Sequence, residues 1–229
     1  ALYIVGFLSG ISLGLFNPFI STLMKQNDIN DIIIGANSTL YFFMIAIGTP
    51  LVAKILRKIG LRKTMMLGFL IMGITAPLFP LTNQLAAWFL IRGVMGLAVC
   101  LYLISARTSL NYFCNDKNRG IVNGLDALAF SLGFGIGPIM GAVFYDVSPQ
   151  VTFLLGSGLI LSGIFVVYFG LPEKDIKFQN PRFQIMKKLK LPLQGSFAYG
   201  FSVATLVSLY PLYLLELNYG VERIGYIFG

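Results

Sequence analysis

The sequence predicts an all-α membrane protein, in which a bundle of six apolar spans is followed by a seventh and the start of an eighth. Three observations predict it. Of the 229 residues, 56% are hydrophobic and only 11% charged, with a mean hydropathy of +0.79, whereas soluble domains carry about a quarter charged residues. Apolar stretches of the roughly 20 residues needed to cross about 30 Å of hydrocarbon recur along almost the whole chain. Lys and Arg collect in three short connectors instead of covering a surface. A water-soluble globule is excluded.

The spans fall near 2–24, 32–56, 64–82, 86–106, 120–145, 151–171 and 193–216, with an eighth starting near 223. Short polar turns at 25–31, 80–84 and 146–150 separate them. The one long connector, 172–192, is basic and bracketed by prolines, so it divides a six-span bundle (1–171) from the beginning of a second unit (193–229). Ala1 is not an initiator Met and no signal-peptide pattern precedes the first span. The last residues, Ile227 to Gly229, lie inside a new apolar stretch, so both ends read as cuts in a longer chain.

The net charge of +8 is read through position, because basic residues beside membrane helices are topology signals and not a nucleic-acid footprint. Fourteen Lys and Arg lie in and beside the connectors after spans 2, 4 and 6; only Lys25 and Arg223 lie on the opposite side, and Arg92 lies within span 4. This bias predicts a cytoplasmic N-terminus and cytoplasmic connectors at 57–63, 107–119 and 173–190. Trp88, near the outer end of span 4, reads as an interfacial anchor. No His is present, which removes His-based catalysis and the easiest proton relay. Cys100 in an apolar span and Cys114 in a basic loop predict neither a disulfide nor a metal site.

A faint internal repeat spans the long connector. FLSGISLGLFNPFISTL, from Phe7, parallels FAYGFSVATLVSLYPLYLL, from Phe197, and each is followed by a polar turn and an Ile-Gly pair. Pro18 and Pro211 are 193 residues apart, Gly35 and Gly225 190 apart, so the register drifts by three. Such a repeat implies a second bundle built like the first.

The turn AKILRKIGLRK at 53–63 is a basic turn with a glycine stop. The spacing of Arg57, Lys58, Gly60, Arg62 and Lys63 also resembles the loop signature of the major facilitator superfamily. Ala53 and Arg57 stand where that family has Gly and Asp, so its acidic cytoplasmic latch is not carried over. Span 5 holds a more specific match to the family's antiporter-associated pattern: Gly124, Gly133, Gly137, Pro138, Gly141 and Ala142 fit at every spacing. Gly133, Gly137 and Gly141, four apart, form a face bare of side chains for close helix packing, with span 8 the expected neighbour. Pro138 removes one backbone hydrogen bond and bends the helix. Arg92, Gly96 and Cys100 follow the family's span-4 signature in part, with Met95 in place of its Gln.

The resemblance implies twelve spans in two six-helix bundles, alternating access around a midplane site, and a proton-coupled exporter of small organic molecules. An importer of a metabolite or sugar is the alternative direction. It further implies no cofactor beyond the proton, no nucleic-acid partner, a monomer at full length and residence in the plasma membrane. A seven-helix receptor is the rival from the span count alone, but such receptors place the N-terminus outside. A membrane enzyme lacks any His, Cys pair or carboxylate cluster to carry chemistry.

Two intramembrane charges are the leading candidates for substrate or coupling roles. Arg92, about 9 Å inside the outer boundary, either faces a wet cavity or snorkels to the headgroups. Asp126, the only acid within a span interior, either couples to protons or pairs with Arg119 or another basic residue at the inner leaflet. The two lie about 12 Å apart in depth and are not expected to pair. Asn17, Asn37, Tyr41, Ser208 and Tyr210 are the softer candidates. As polar residues in spans, they serve either as interhelical hydrogen-bond partners or as substrate contacts.

Overall fold

Apolar periodicity without strand-forming alternation yields helices throughout, and in the computed structural model no strand occurs among the described residues, 1–172 and 190–229. The elements are α1 (Leu2–Gln26), α2 (Asp31–Thr75) with a 3-10 turn (Ala76–Leu81), α3 (Leu85–Phe113), α4 (Arg119–Tyr145), α5 (Pro149–Gly170), α6 (Lys190–Glu216) and α7 (Val221–Phe228). Among the described residues six helices are long and apolar enough to cross a membrane. One of them, running 51 residues to Leu81, is long enough for two crossings, about 76 Å at 1.5 Å per residue. Gly60 divides it: at φ 81° and ψ 170° its backbone leaves the helix in a region a Cβ would strain. The two limbs of α2 are therefore spans 2 and 3, and α3 to α7 are spans 4 to 8. The connector predicted at 172–192 falls almost wholly outside the described residues.

Local chemistry sets the ends. Asn30 caps α2 by accepting the Ile32 N–H at 2.8 Å, and Ser148 caps α5 ahead of Pro149. Ala1, Cys114 and Leu171 line one crevice, so the N-terminus and the even-numbered connectors share one end of the bundle. Lys25, the 3-10 turn and Tyr145 mark the other.

The hub is α1. In its most apolar stretch 89% of residues are buried, against 28% in α4. Gly10 and Gly14 of α1 face the Phe130 and Phe134 carbonyls of α4, and Gly133 of α4 faces the Phe7 carbonyl of α1, each too closely for a Cβ. A Cβ at Gly137 would lie 2.9 Å from the Ile11 oxygen, and one at Gly141 would run into the Phe19 ring. The small-residue face of span 5 therefore packs against span 1 and not against span 8. Spans 1 and 5 carry glycines at matching four-residue intervals, and two such faces can interlock only with each other. Span 8 takes the adjoining side of α4, where Gly225 presses on Pro138 and Ala142. Gly124 meets nothing within 4 Å.

Trp88 is also placed differently from its expected interfacial position. It is fully buried, donates its indole N–H to the Phe79 carbonyl at 3.0 Å and stacks on the Phe79 ring at 5.6 Å. The 3-10 turn leaves that carbonyl without a helical partner, and the indole supplies one.

The turns after spans 1 and 7 are copies. Asp28 and Asn218 both take left-handed backbone, φ 58° and 61°. The bonds Asp28 N to Lys25 O and Ile29 N to Met24 O recur as Asn218 N to Leu215 O and Tyr219 N to Leu214 O, every atom shifted by 190 residues. The register of the repeat at this end is thus 190, and the prolines, spaced 193 apart, sit about one turn out of step.

Because α1 and α4 touch backbone to backbone, Gly10→Leu or Gly137→Leu should lower the stability of the full-length protein by about 1–3 kcal/mol, the usual overpacking cost. Gly124→Ala should leave it unchanged or slightly raised. Thermal unfolding in detergent measures both, and equal midpoints for Gly137→Leu and Gly124→Ala would refute the assigned interface.

Candidate functional site

Gly96 lets α3 approach the first limb of α2, where a Cβ would sit 2.5 Å from the Tyr41 carbonyl. One turn earlier on each of these parallel helices come Arg92 and Asn37. Arg92 is fully buried, its Nη2 donates to Asn17 Oδ1 of α1 at 2.6 Å, and its guanidinium carbon lies 4.2 Å from the centre of the Tyr41 ring. Asn17 in turn donates to the Leu13 carbonyl at 2.8 Å. The side chain faces inward, between three spans, and does not reach toward the headgroups.

The chemistry here is a cation held by neutral groups. An amide oxygen and an aromatic face are its partners, and Arg92 Nε and Nη1 make no hydrogen bond. Both amide atoms of Asn37 and the hydroxyls of Ser21, Thr22, Ser38 and Ser208 are likewise buried without partners. Buried polar groups are ordinarily satisfied, and a charged one in hydrocarbon costs about 2.5–3.5 kcal/mol on insertion scales. Unpaired donors and acceptors are thus buried on spans 1, 2, 4 and 7. Deeper along α3, Tyr102 donates to Ser12 of α1 at 3.1 Å and stacks on Phe69. The sequence alone does not mark Ser12, Ser21, Ser38 and Tyr102, because a lone hydroxyl in an apolar span carries no signal until its neighbours are known.

The structure thus brings together Arg92, Asn17 and Tyr41, with Asn37 level with them, and buries Ser208 on α6. Tyr210 stands apart, half-exposed, against Tyr213 and Phe228. Asp126 is also elsewhere. Its carboxylate oxygen lies over Gly6 of α1, 2.6 Å from where a Cβ would be, in the half of the bundle near Ala1. Gly6 and Asn17 are eleven residues apart, about 16 Å along the helix. Arg119 does not pair with Asp126; it lies 3.9 Å from Asp116.

At the Ala1 end, Gly60 turns the chain and Arg62 donates to the Tyr168 carbonyl while stacking on the Tyr168 ring at 4.6 Å, tying α2 to the end of α5. Arg57, Lys58 and Lys63 are exposed beside it. Among the described residues no group of three or more His, Cys, Asp or Glu is arranged to hold a metal.

The family model described as Major Facilitator Superfamily matches residues 2–229. The chain is 27% identical over 229 residues to the Uncharacterized MFS-type transporter YfkF of Bacillus subtilis (strain 168), covering 96% of this chain and 58% of that protein. It is 21% identical over 203 residues to Multidrug resistance protein 1 of the same organism, covering 89% and 51%. The bacterial homolog to the human lysosomal transporter Spinster, solved in an inward-facing and unoccupied conformation, superposes with a TM-score of 0.76 at 12% identity. That match covers all of this chain and 57% of the other, and it establishes the fold. The chain spans little more than half the length of these relatives.

Removing only the acceptor from a buried cation is worse than removing the cation as well. Asn17→Ala should therefore destabilise the full-length protein by about 1–3 kcal/mol, Arg92→Met by less, and the double variant should regain much of the loss. Unfolding midpoints that are additive across the cycle would contradict the coupling.

Proposed function

The chain belongs to the major facilitator superfamily, and from that membership we propose that it forms the first bundle and the opening helices of the second in a proton-driven exporter. This transporter moves small organic molecules by alternating access. The observation that carries the reading is the Arg92 cluster: a buried cation, Asn17 and Tyr41 converge where spans 1, 2 and 4 meet, with Asn37 buried and unpaired one turn from Tyr41. Buried polar groups left unpaired among helices mark substrate paths in membrane proteins. Likeness to a multidrug resistance protein and the antiporter-type glycines of span 5 favour export.

Asp126 is the coupling carboxylate in this scheme. It is half-buried beside Gly6 and forms no ion pair with another described residue. No salt bridge among the described residues holds its charged form, although the Arg107 charge acts on it, so the carboxylate can take up and release a proton. Its distance from Arg92 separates the proton step from the solute step, which then communicate through α1, the helix touching both. The Ala1 end, which carries the basic connectors after spans 2 and 4, faces the cytoplasm at the plasma membrane. The protein acts as a monomer at full length, with the lipid bilayer and its solute as partners and the proton as the coupling ion.

Reconstituted full-length protein should move solutes against a gradient only while a pH difference is imposed. Asp126→Asn should abolish this uphill transport and leave downhill exchange within about threefold. Equal uphill rates with and without the pH difference would overturn the coupling, and accumulation in the direction opposite to export would establish the importer. Orientation is tested separately. On a background free of Cys100 and Cys114, an impermeant thiol reagent added to intact cells should label Asn83→Cys and spare Lys58→Cys, and the reverse pattern would refute it.

A further inference from the structure

Lys25, in the last turn of α1, lies between two carboxylates. Its Nζ is 2.6 Å from Oδ1 of Asp31, the first residue of α2, and 3.5 Å from Oε1 of Glu216, the last residue of α6. The first partner belongs to the same bundle and the second to the start of the other, 191 residues away. Among the described residues this is the one ion pair that joins the two.

The pair sits where the two units are closed on each other. On α6, Val207, Ser208, Leu212 and Leu214 are buried, whereas Phe197, Tyr199 and Phe201, nearer the Ala1 end, are exposed. On α7, Ile224 is buried and Gly225 presses on Pro138 and Ala142 of α4. The duplicated turns at 24–29 and 214–219 meet at this end, as two repeats related by an axis along the membrane normal would place them. Lys25 and Glu216 project from those turns.

We propose that Lys25 is a latch: by bridging Asp31 and Glu216 it holds the two bundles closed at the end opposite the basic loops. Rocking the bundles apart at this end breaks the Glu216 contact and keeps the Asp31 contact, because α1 and α2 move together. Asp31 therefore holds the ammonium while the latch is open, so release never strands a charge. The side chains of Lys25 and Glu216 are 30% and 57% exposed, and exposed pairs of this kind shift an equilibrium by about two- to fivefold. That is enough to bias the two states without freezing either.

The test needs no substrate, so its outcome is independent of whether the proton-driven export reading holds. Full-length protein lacking Cys100 and Cys114 carries the reporter Ser208→Cys, two turns inside Glu216, and is reacted with an impermeant thiol reagent from the Lys25 side. Lys25→Met and Glu216→Gln should each speed labelling about two- to fivefold, and the double variant should go no further. Asp31→Asn should leave the rate at or below that of the parent. Raising salt from about 0.1 to 1 M should speed the parent and not the double variant, since a Debye length of about 3 Å screens the pair. Unchanged rates in the single variants, additive effects in the double, or acceleration by Asp31→Asn equal to that by Glu216→Gln would each overturn the latch. Unfolding midpoints within about 2 °C of the parent establish that labelling reports opening and not unfolding.

Discussion

Contact between the backbones of α1 and α4 is the constraint on which the remaining arrangement rests. Glycines at four-residue intervals on both helices remove the side chains that would hold them apart, and in a membrane, where water gives no hydrophobic push between helices, close van der Waals contact is the main source of affinity. The interlock fixes the rotation of α1 about its axis. With one face given to α4, another face of α1, bearing Ser12 and Asn17, is turned toward Tyr102 and Arg92 of α3. A helix that is buried nearly all round must offer each neighbour a separate stripe, and α1 does so with glycines on one side and hydroxyls and amides on another.

The same logic explains how a guanidinium is tolerated between three spans. Gly96 lets α2 lie against α3, which lays the Tyr41 ring under Arg92, while α1 supplies the Asn17 oxygen. Cation–π attraction and one short hydrogen bond offset part of the cost of taking the charge out of water. In the transport cycle proposed above, a polar solute that satisfies the remaining unpaired groups would gain interactions in one conformation over the other, and differential binding of this kind is what lets a solute bias a conformational equilibrium. Asp126, about three turns away along α1, is reached by the same helix but lies in a different environment, half-exposed and near the basic loops.

Several expectations from the sequence changed once neighbours were known. Trp88 reads as an interfacial anchor because its position in the chain is near a span end, yet the 3-10 turn folds back over it and its indole serves the Phe79 carbonyl. The glycines of span 5 read correctly as a packing face, but the partner is span 1, since that helix carries the matching intervals. Gly124 fits the spacing of the pattern, but nothing from another helix lies within 4 Å of where its Cβ would be. A motif therefore specifies a residue type at a place along a helix; it does not specify which helix arrives there.

The sequence by itself determined the number of spans, their order, the clustering of basic residues after every second span and the membership in a recognisable pattern. All of these are one-dimensional quantities: twenty apolar residues cross a bilayer whatever surrounds them, and Gly60 breaks a helix through its own backbone. Only the tertiary structure decided that Arg92 meets Asn17, 75 residues away, and that Lys25 meets Glu216. It also decided that Asp126 lies over Gly6. Such contacts depend on the rotation and register of one helix against another, and a rotation of 100° per residue moves a side chain from lipid to core without altering any property that hydropathy or spacing can register.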